Sequence, residues 1–339
     1  MHMTKIFERA SSPATLIFVK KWFWVKIIKI LPYWLIFLTL IVFIQTAVFL
    51  YFSNPVKSDA QAPQVLGEST LAPNFARGAN QERLKEISRI NDPDLSGISA
   101  RSFLVFDLDS GRDLLTKNPG QKLAIASLTK LMTALTAYNN SNLNQTFKIS
   151  GKDILSIKPN LGLLLGDEVK ALDIFNSMLI GSCNDAAKAL ADFTSQVSEG
   201  NFVELMNRQA ASLGMLNSSF ANSMGFDNSG NYSTAEDLKL LIIATQRLSA
   251  FTDLGRRTDY KFSGSANKTY LTLATNTLIK NHPDIQAIKT GFTSEANGAM
   301  ATKINAFGHQ IVILVLDSQN RESDTLKLKA AVETSFYLK

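Results

Sequence analysis

The sequence predicts an α+β fold. An antiparallel sheet, with strands from both ends of a globular region, is flanked by a helical cluster and preceded by a single N-terminal transmembrane helix. Three observations carry this. Residues 31–52 form an uncharged apolar run, strand-like runs sit near 103–115 and 297–316, and the region between them repeats apolar residues at helical spacing.

The run LPYWLIFLTLIVFIQTAVFLYF holds 22 residues without a charge, bounded by Lys29 and Lys57. As a helix it spans roughly 33 Å, close to the ~30 Å hydrocarbon thickness of a bilayer. It is apolar on all sides, and Tyr33, Trp34 and Tyr51 lie near its ends like interfacial anchors. Residues 1–30 carry six Lys and Arg against Glu8, so this tail holds +5 of the chain's formal charge of +6. A basic tail before a span predicts a cytoplasmic N-terminus with everything beyond the span outside. The competing reading is a signal peptide cleaved after Ala60-Gln61-Ala62, although its apolar core would exceed the usual length of about 7–15 residues.

The charge imbalance also excludes a broad nucleic-acid surface, because residues 31–339 carry almost no net charge. Cys183 is the single cysteine, which excludes a disulfide within the chain and a thiolate metal cluster. That cysteine lies far beyond the end of the apolar run, so a lipoprotein anchor is excluded too.

Residues 53–95 contain Pro55, Pro63, Pro73 and Pro93 among scattered small and polar residues, and read as a linker. About 40 flexible residues reach on the order of 35 Å. Leu84, Ile87 and Ile90 recur at three-residue steps and predict a short helix leading into a domain over 96–339. Phe103–Phe106 is a strand core, Asp109-Ser110-Gly111 a turn, and Leu114-Leu115 the start of a partner strand. Leu128, Leu131, Met132 and Leu135 form one helical stripe. Helices are expected over 172–180, 186–193 and 202–213, the last stopped by Gly214. Ser233-Thr234-Ala235-Glu236 reads as a capping box opening another. Residues 297–304 and 309–316 read as a hairpin, whose second strand, apolar throughout, is expected to be buried on both faces. A last helix is expected over roughly 322–337.

Three short motifs occur in order: Ser127-Leu128-Thr129-Lys130, Ser182-Cys183-Asn184 and Lys289-Thr290-Gly291. The first two patterns recur elsewhere, as in Ser265-Ala266-Asn267-Lys268, Ser229-Gly230-Asn231 and Ser318-Gln319-Asn320, whereas K-T-G occurs once. Ser127 opens the striped helix, and Lys130 lies three residues on, on the same face. A serine hydroxyl needs an adjacent base to act as a nucleophile. A lysine can be that base when burial or a second cation lowers its pKa, and Lys289 could be that cation. A helix start also aims backbone N–H groups at a developing oxyanion. Taken singly, each motif has a bland reading. Ser127 can be a cap and Lys130 a solvated residue, Asn184 can cap the next helix, and Lys289-Thr290-Gly291 can be an edge strand ending in a turn. With no nearby histidine, Cys183 reads as a small buried residue.

The segments AIASLTKLMTAL, GSCNDAAKALA and IKTGFTSEANGAM resemble the serine D-Ala-D-Ala carboxypeptidases, the low-molecular-mass penicillin-binding proteins of peptidase family S11. FVELMNRQAASLGM and SSFANSMGFD extend the resemblance, which covers roughly 96–339. It implies the β-lactamase/DD-peptidase fold, with no cofactor and no metal. It implies Ser127 as the acylated nucleophile, Lys130 as general base and Ser182 as proton carrier to the leaving D-alanine. Asn184 would hold the substrate amide, and Lys289 and Thr290 the terminal carboxylate. Gly291 would let substrate backbone approach, the N–H groups of Ser127 and Phe292 would form the oxyanion hole, and Arg321 would support carboxylate binding. The implied partners are a peptidoglycan stem peptide ending in D-Ala-D-Ala, β-lactams as covalent inhibitors, and the bacterial cell membrane through residues 31–52.

Three departures stand out. Cys183 replaces a small residue, Phe292 follows the K-T-G and could narrow the pocket, and the second β-rich domain and C-terminal amphipathic anchor frequent in the family are not expected here. Two rival functions are a serine β-lactamase of the same fold and an inactive membrane-tethered cell-wall binding protein. A class A lactamase would need a glutamate-led E-x-x-x-N loop, and Glu204-Leu205-Met206-Asn207 has the wrong spacing within a helical pattern. The sequence argues against Ser-His-Asp and zinc-peptidase chemistry, since His2, His282 and His309 are the only histidines and neither G-x-S-x-G nor H-E-x-x-H occurs.

Overall fold

A computed structural model describes residues 86–338. The tail 1–30, the apolar run 31–52 and most of the linker lie outside the described residues. Among those described, no helix is long and apolar enough to cross a membrane.

In chain order, the described part begins with β1 (Ile87–Arg89) and the hairpin β2 (Ser102–Asp107) and β3 (Asp113–Lys117). A 3-10 turn over Ala126–Leu128 runs into α1 (Thr129–Asn140). β4 (Thr146–Lys148) and β5 (Glu168–Lys170) pair with each other and lead to α2 (Ala171–Gly181), α3 (Asn184–Ser198) and α4 (Phe202–Ser212). There follow α5 (Ala235–Gln246), α6 (Ser249–Thr252), the hairpin β6 (Asp259–Ser263) and β7 (Thr269–Leu273), and α7 (Leu278–Asn281). The chain ends with β8 (Ile285–Thr293), β9 (Asn297–Ala306), β10 (His309–Ser318), α8 (Arg321–Ser335) and β11 (Phe336–Leu338).

The main sheet has the order β3-β2-β10-β9-β8 and is antiparallel throughout, so strands from the two ends of the domain meet at its centre. Ile311–Leu316 are fully buried, because helices cover both faces. Side chains alternate across a strand, and the alternation sorts them cleanly. Leu104, Phe106, Val312, Leu314 and Leu316 join one core with α1, α2 and α3. Phe103, Val105, Ile311, Ile313 and Val315 join a second core with Leu328 and Val332 of α8.

Three expectations need correction. Ile87–Arg89, read as part of a linker helix, is a strand paired with Phe336–Leu338. Ile87 is buried but Ile90 is 56% exposed, so the three-residue spacing builds no helical face. That pairing also ends the last helix at Ser335. The cap expected at Ser233 moves to Thr234, whose Oγ1 accepts from the Asp237 N–H at 3.1 Å. Ser233 is instead extended and bridges to Leu123.

Phe336 closes the second core at 5% exposure. Phe336→Ala is expected to lower the unfolding free energy by about 3 kcal/mol in chemical denaturation. A loss below about 1 kcal/mol would mean that the β1–β11 closure contributes little packing.

Candidate active site

Ser127 lies in the 3-10 turn ahead of α1, after Ala126, whose φ of 45° is left-handed. Two glycines press on this backbone. A Cβ on Gly225 would sit 2.0 Å from the Ala126 carbonyl oxygen, and one on Gly291 would sit 2.9 Å from the Ser127 nitrogen. No side chain fits at either position, so the turn is clamped between β8 and the 222–226 loop.

Lys130 is fully buried, and its Nζ meets three acceptors. These are Ser127 Oγ at 2.9 Å, Asn184 Oδ1 at 2.9 Å and the Met224 carbonyl at 2.5 Å. Burial lowers its pKa to about 7. Lys289 is also buried, and donates to the Thr290 carbonyl at 3.0 Å. Burial first, then the charges of Lys130 and Arg321, hold it well below the ordinary lysine range. No Asp or Glu pairs with either amine among the described residues. Asp185, next to Asn184, is turned away and accepts from the N–H groups of Leu161, Gly162 and Leu163.

Asn184 does not cap α3; it is the helix's first residue, and its side chain accepts from Lys130 and donates to the Ile157 carbonyl. Ser182 ends α2 in a left-handed conformation at φ 58° and is 4% exposed. It shares the turn with Asn184, and its hydroxyl bonds to neither Ser127 nor Lys130. Cys183 is buried beside Thr272, and burial pushes its thiol up to about 11, so it stays protonated.

β8 is the sheet's edge strand, as its sequence suggested. Thr290 is buried, with Oγ1 2.5 Å from Thr275 Oγ1. Phe292 is 69% exposed, so its ring stands at the rim. Arg321 Nη1 donates to the Gly291 carbonyl at 2.6 Å while its Nε meets Glu322 at 3.0 Å. Ser127, Lys130, Asn184, Gly291 and Arg321 are thus linked by direct contacts, and Lys289 lies near enough to Lys130 and Arg321 to feel their charges.

The look-alike motifs have other work. Ser265 and Lys268 occupy the β6–β7 turn and bind Asp167 and the Gly162 carbonyl, Asn231 binds Thr129, and Ser318 binds Asp324. Asp107, Asp109 and His309 bring possible cation ligands within 4.8 Å at the far end of β2 and β10. Asp107 there already accepts from Ser110 and contacts His309 Nδ1. Motif reading missed Asn222, whose Oδ1 accepts from the N–H groups of Met224, Gly225 and Phe226. That turn aims the Met224 carbonyl at Lys130.

The family model described as D-alanyl-D-alanine carboxypeptidase, peptidase family S11, matches residues 88–320. The chain belongs to this family. DacF, a D-alanyl-D-alanine carboxypeptidase of Bacillus subtilis, is 27% identical over 275 residues, covering 79% of this chain and 67% of DacF. A D-alanyl-D-alanine endopeptidase of Pseudomonas aeruginosa is 28% identical over 244 residues, covering 70% of this chain and 78% of that protein. The crystal structure of the Streptomyces K15 DD-transpeptidase superposes with a TM-score of 0.65 at 25% identity, covering 72% of this chain and 99% of that one.

The buried amine of this D-alanyl-D-alanine carboxypeptidase family member has a thermodynamic signature. Unfolded, Lys130 titrates near the ordinary lysine value of about 10.4; folded, it titrates near 7. Between those values the unfolded chain binds the extra proton, so this residue makes stability rise with pH, by about 1.4 kcal/mol per unit. Below pH 7 the folded state bears the full burden of a buried charge. Chemical denaturation of the wild type and Lys130→Met at pH 7.5 and 9.5 should show the wild type gaining about 2–3 kcal/mol more than the variant. Equal pH slopes would refute a depressed amine.

Proposed function

We propose that the protein is a serine D-Ala-D-Ala carboxypeptidase, a hydrolase that removes the terminal D-alanine from peptidoglycan stem peptides through an acyl-enzyme on Ser127. The observation that carries this reading is a buried Lys130 amine 2.9 Å from the Ser127 hydroxyl, with a pKa near 7.

As a neutral amine, Lys130 has two protons and one lone pair. It donates to Asn184 and the Met224 carbonyl, and its lone pair receives the Ser127 proton. Ser127 Oγ then attacks the penultimate D-Ala carbonyl, and a base so placed contributes on the order of 10²–10⁴ in rate. The N–H groups of Ser127 and Phe292 hold the oxyanion, and each such donor is worth about 3–4 kcal/mol. Ser182 passes a proton to the departing D-alanine nitrogen, and Asn184 holds the substrate amide. Lys289 and Thr290 bind the terminal carboxylate, and Arg321 steadies the strand end through the Gly291 carbonyl. Water, activated by Lys130, then hydrolyses the ester.

The carboxylate also resolves a conflict of charge. Two buried amines repel each other if both are protonated. A bound carboxylate favours the proton on Lys289, and the Lys289 charge keeps Lys130 neutral. β-Lactams, which present a carboxylate and a strained acyl group, should acylate the same serine and stall. A class A lactamase would need a water-activating glutamate, and Glu204-Leu205-Met206-Asn207 does not provide it. Asn207 is spent on the Val203 and Phe220 carbonyls along α4, and Glu204 is exposed.

We further propose that residues 31–52 anchor the enzyme as a single span of the bacterial cell membrane. The basic tail 1–30 is then cytoplasmic, and the catalytic domain, 96–339, stands outside on the linker 53–95. The support is the length of the uncharged run and the charge asymmetry around it.

The test is release of D-alanine from a peptide ending in D-Ala-D-Ala. The wild type should release it, with kcat/KM for acylation rising with pH through about 7 as Lys130 loses its proton, and Ser127→Ala should abolish release. Penicillin should leave one adduct, on Ser127, by mass spectrometry. An adduct on another residue would overturn the assignment, fast nitrocefin turnover would favour the lactamase, and no release would favour an inactive binding protein.

A further inference from the structure

Thr275 belongs to no motif, yet its hydroxyl lies 2.5 Å from that of Thr290. Its backbone N–H also donates to the Ile180 carbonyl at 3.2 Å, near the end of the helix that leads into Ser182. One residue therefore ties the turn after β7 both to the K-T-G strand and to α2. Thr290, Thr275 and Lys289 line one small cavity.

Each hydroxyl has one proton, and the contact between them uses only one of the two. If Thr290 donated to Thr275, it would offer an incoming carboxylate only lone pairs, which is repulsive. If Thr275 donates, the Thr290 proton is free for the carboxylate. The Thr275 hydroxyl has no other hydrogen-bond partner among the described residues, so no second acceptor competes for its proton.

We propose that Thr275 is a positioning residue for substrate recognition: it donates to Thr290 and so directs the Thr290 proton, and with it the side-chain rotamer, toward the substrate's terminal carboxylate. The inference rests on the reading that Thr290 binds that carboxylate. Thr275 touches no reacting atom; it acts through Thr290, as the first link of a hydroxyl relay ending on the anion.

The experiment uses the full chain and an acylated tripeptide ending in D-Ala-D-Ala. Thr275→Val keeps the shape and removes the hydroxyl. It should raise KM about three- to tenfold, the range of one neutral hydrogen bond, with kcat within twofold. Thr275→Ser should restore KM. Thr290→Val should raise KM at least as much, and the double variant Thr275→Val/Thr290→Val should be no worse than Thr290→Val alone, because the relay is already cut. Wild-type KM in Thr275→Val, losses that multiply in the double variant, or no rescue by serine would overturn the proposal while leaving carboxylate binding by Thr290 intact. Wild-type KM in Thr290→Val would instead remove the carboxylate reading, and the relay with it.

Discussion

The site depends on a single buried amine with no carboxylate beside it among the described residues. Lys130 is enclosed completely, and its three acceptors are a hydroxyl, an amide oxygen and a carbonyl, all neutral. Such groups satisfy an ammonium's hydrogen bonds without stabilising its charge as an ion pair would. Desolvation therefore governs, and the amine titrates near neutrality. A glutamate in place of Asn184 would pair with the lysine, keep it protonated and disable it as a base. The acid next in sequence, Asp185, is spent instead on a ring of backbone N–H groups that pins the 161–163 loop against α3.

Holding that amine against Ser127 requires backbone to approach backbone more closely than side chains allow. Gly225 and Gly291 supply this, one on a loop and one on the edge strand. Ala126 and Ser182 both adopt left-handed backbone without being glycine, each beside a motif residue or as one. Strain of this kind persists only where the surroundings over-determine it. Here the surroundings are the edge strand against the serine turn and the helices α1 and α3 that bring Lys130 and Asn184 together. The sheet matters to the chemistry as the rigid element that keeps Gly291 against Ser127, since β8 is held along its length by β9.

Much of this was legible from the residues because the relevant signals are local. The stripe from Leu128 to Leu135 placed α1, the apolar run 311–316 marked the central strand, and the unique K-T-G marked the edge. What escaped is non-local. Ile87 becomes a strand because Phe336–Leu338, at the other end of the domain, pairs with it, and no window around residue 87 contains that information. Asn222, Asp185 and Thr275 support the site through bonds whose ends are far apart in sequence or lie between unremarkable polar residues. The cap at Thr234 differs from expectation by one residue because Ser233 is drawn into a bridge with Leu123. Sequence spacing identifies which side chains do chemistry more readily than which ones hold them in place.

The relatives that share this architecture carry the names carboxypeptidase, endopeptidase and transpeptidase. The crevice explains why one fold accommodates all three. On the proposed reading, the groups gathered around Ser127 would act on the scissile carbonyl, the oxyanion and the carboxylate of the departing residue, which every reaction through such an acyl-enzyme shares. A carboxypeptidase and a transpeptidase part afterwards, with the nucleophile that attacks the ester, whereas an endopeptidase differs earlier, in the group that leaves. The outcome would therefore be decided outside the buried network, by which leaving group and which nucleophile the rim admits. Phe292 stands at that rim, one residue beyond the strand position that clamps Ser127 and with most of its surface exposed. On that reading the buried amines would set the chemistry, and the exposed ring of Phe292 is the part of the strand end that an incoming group can reach.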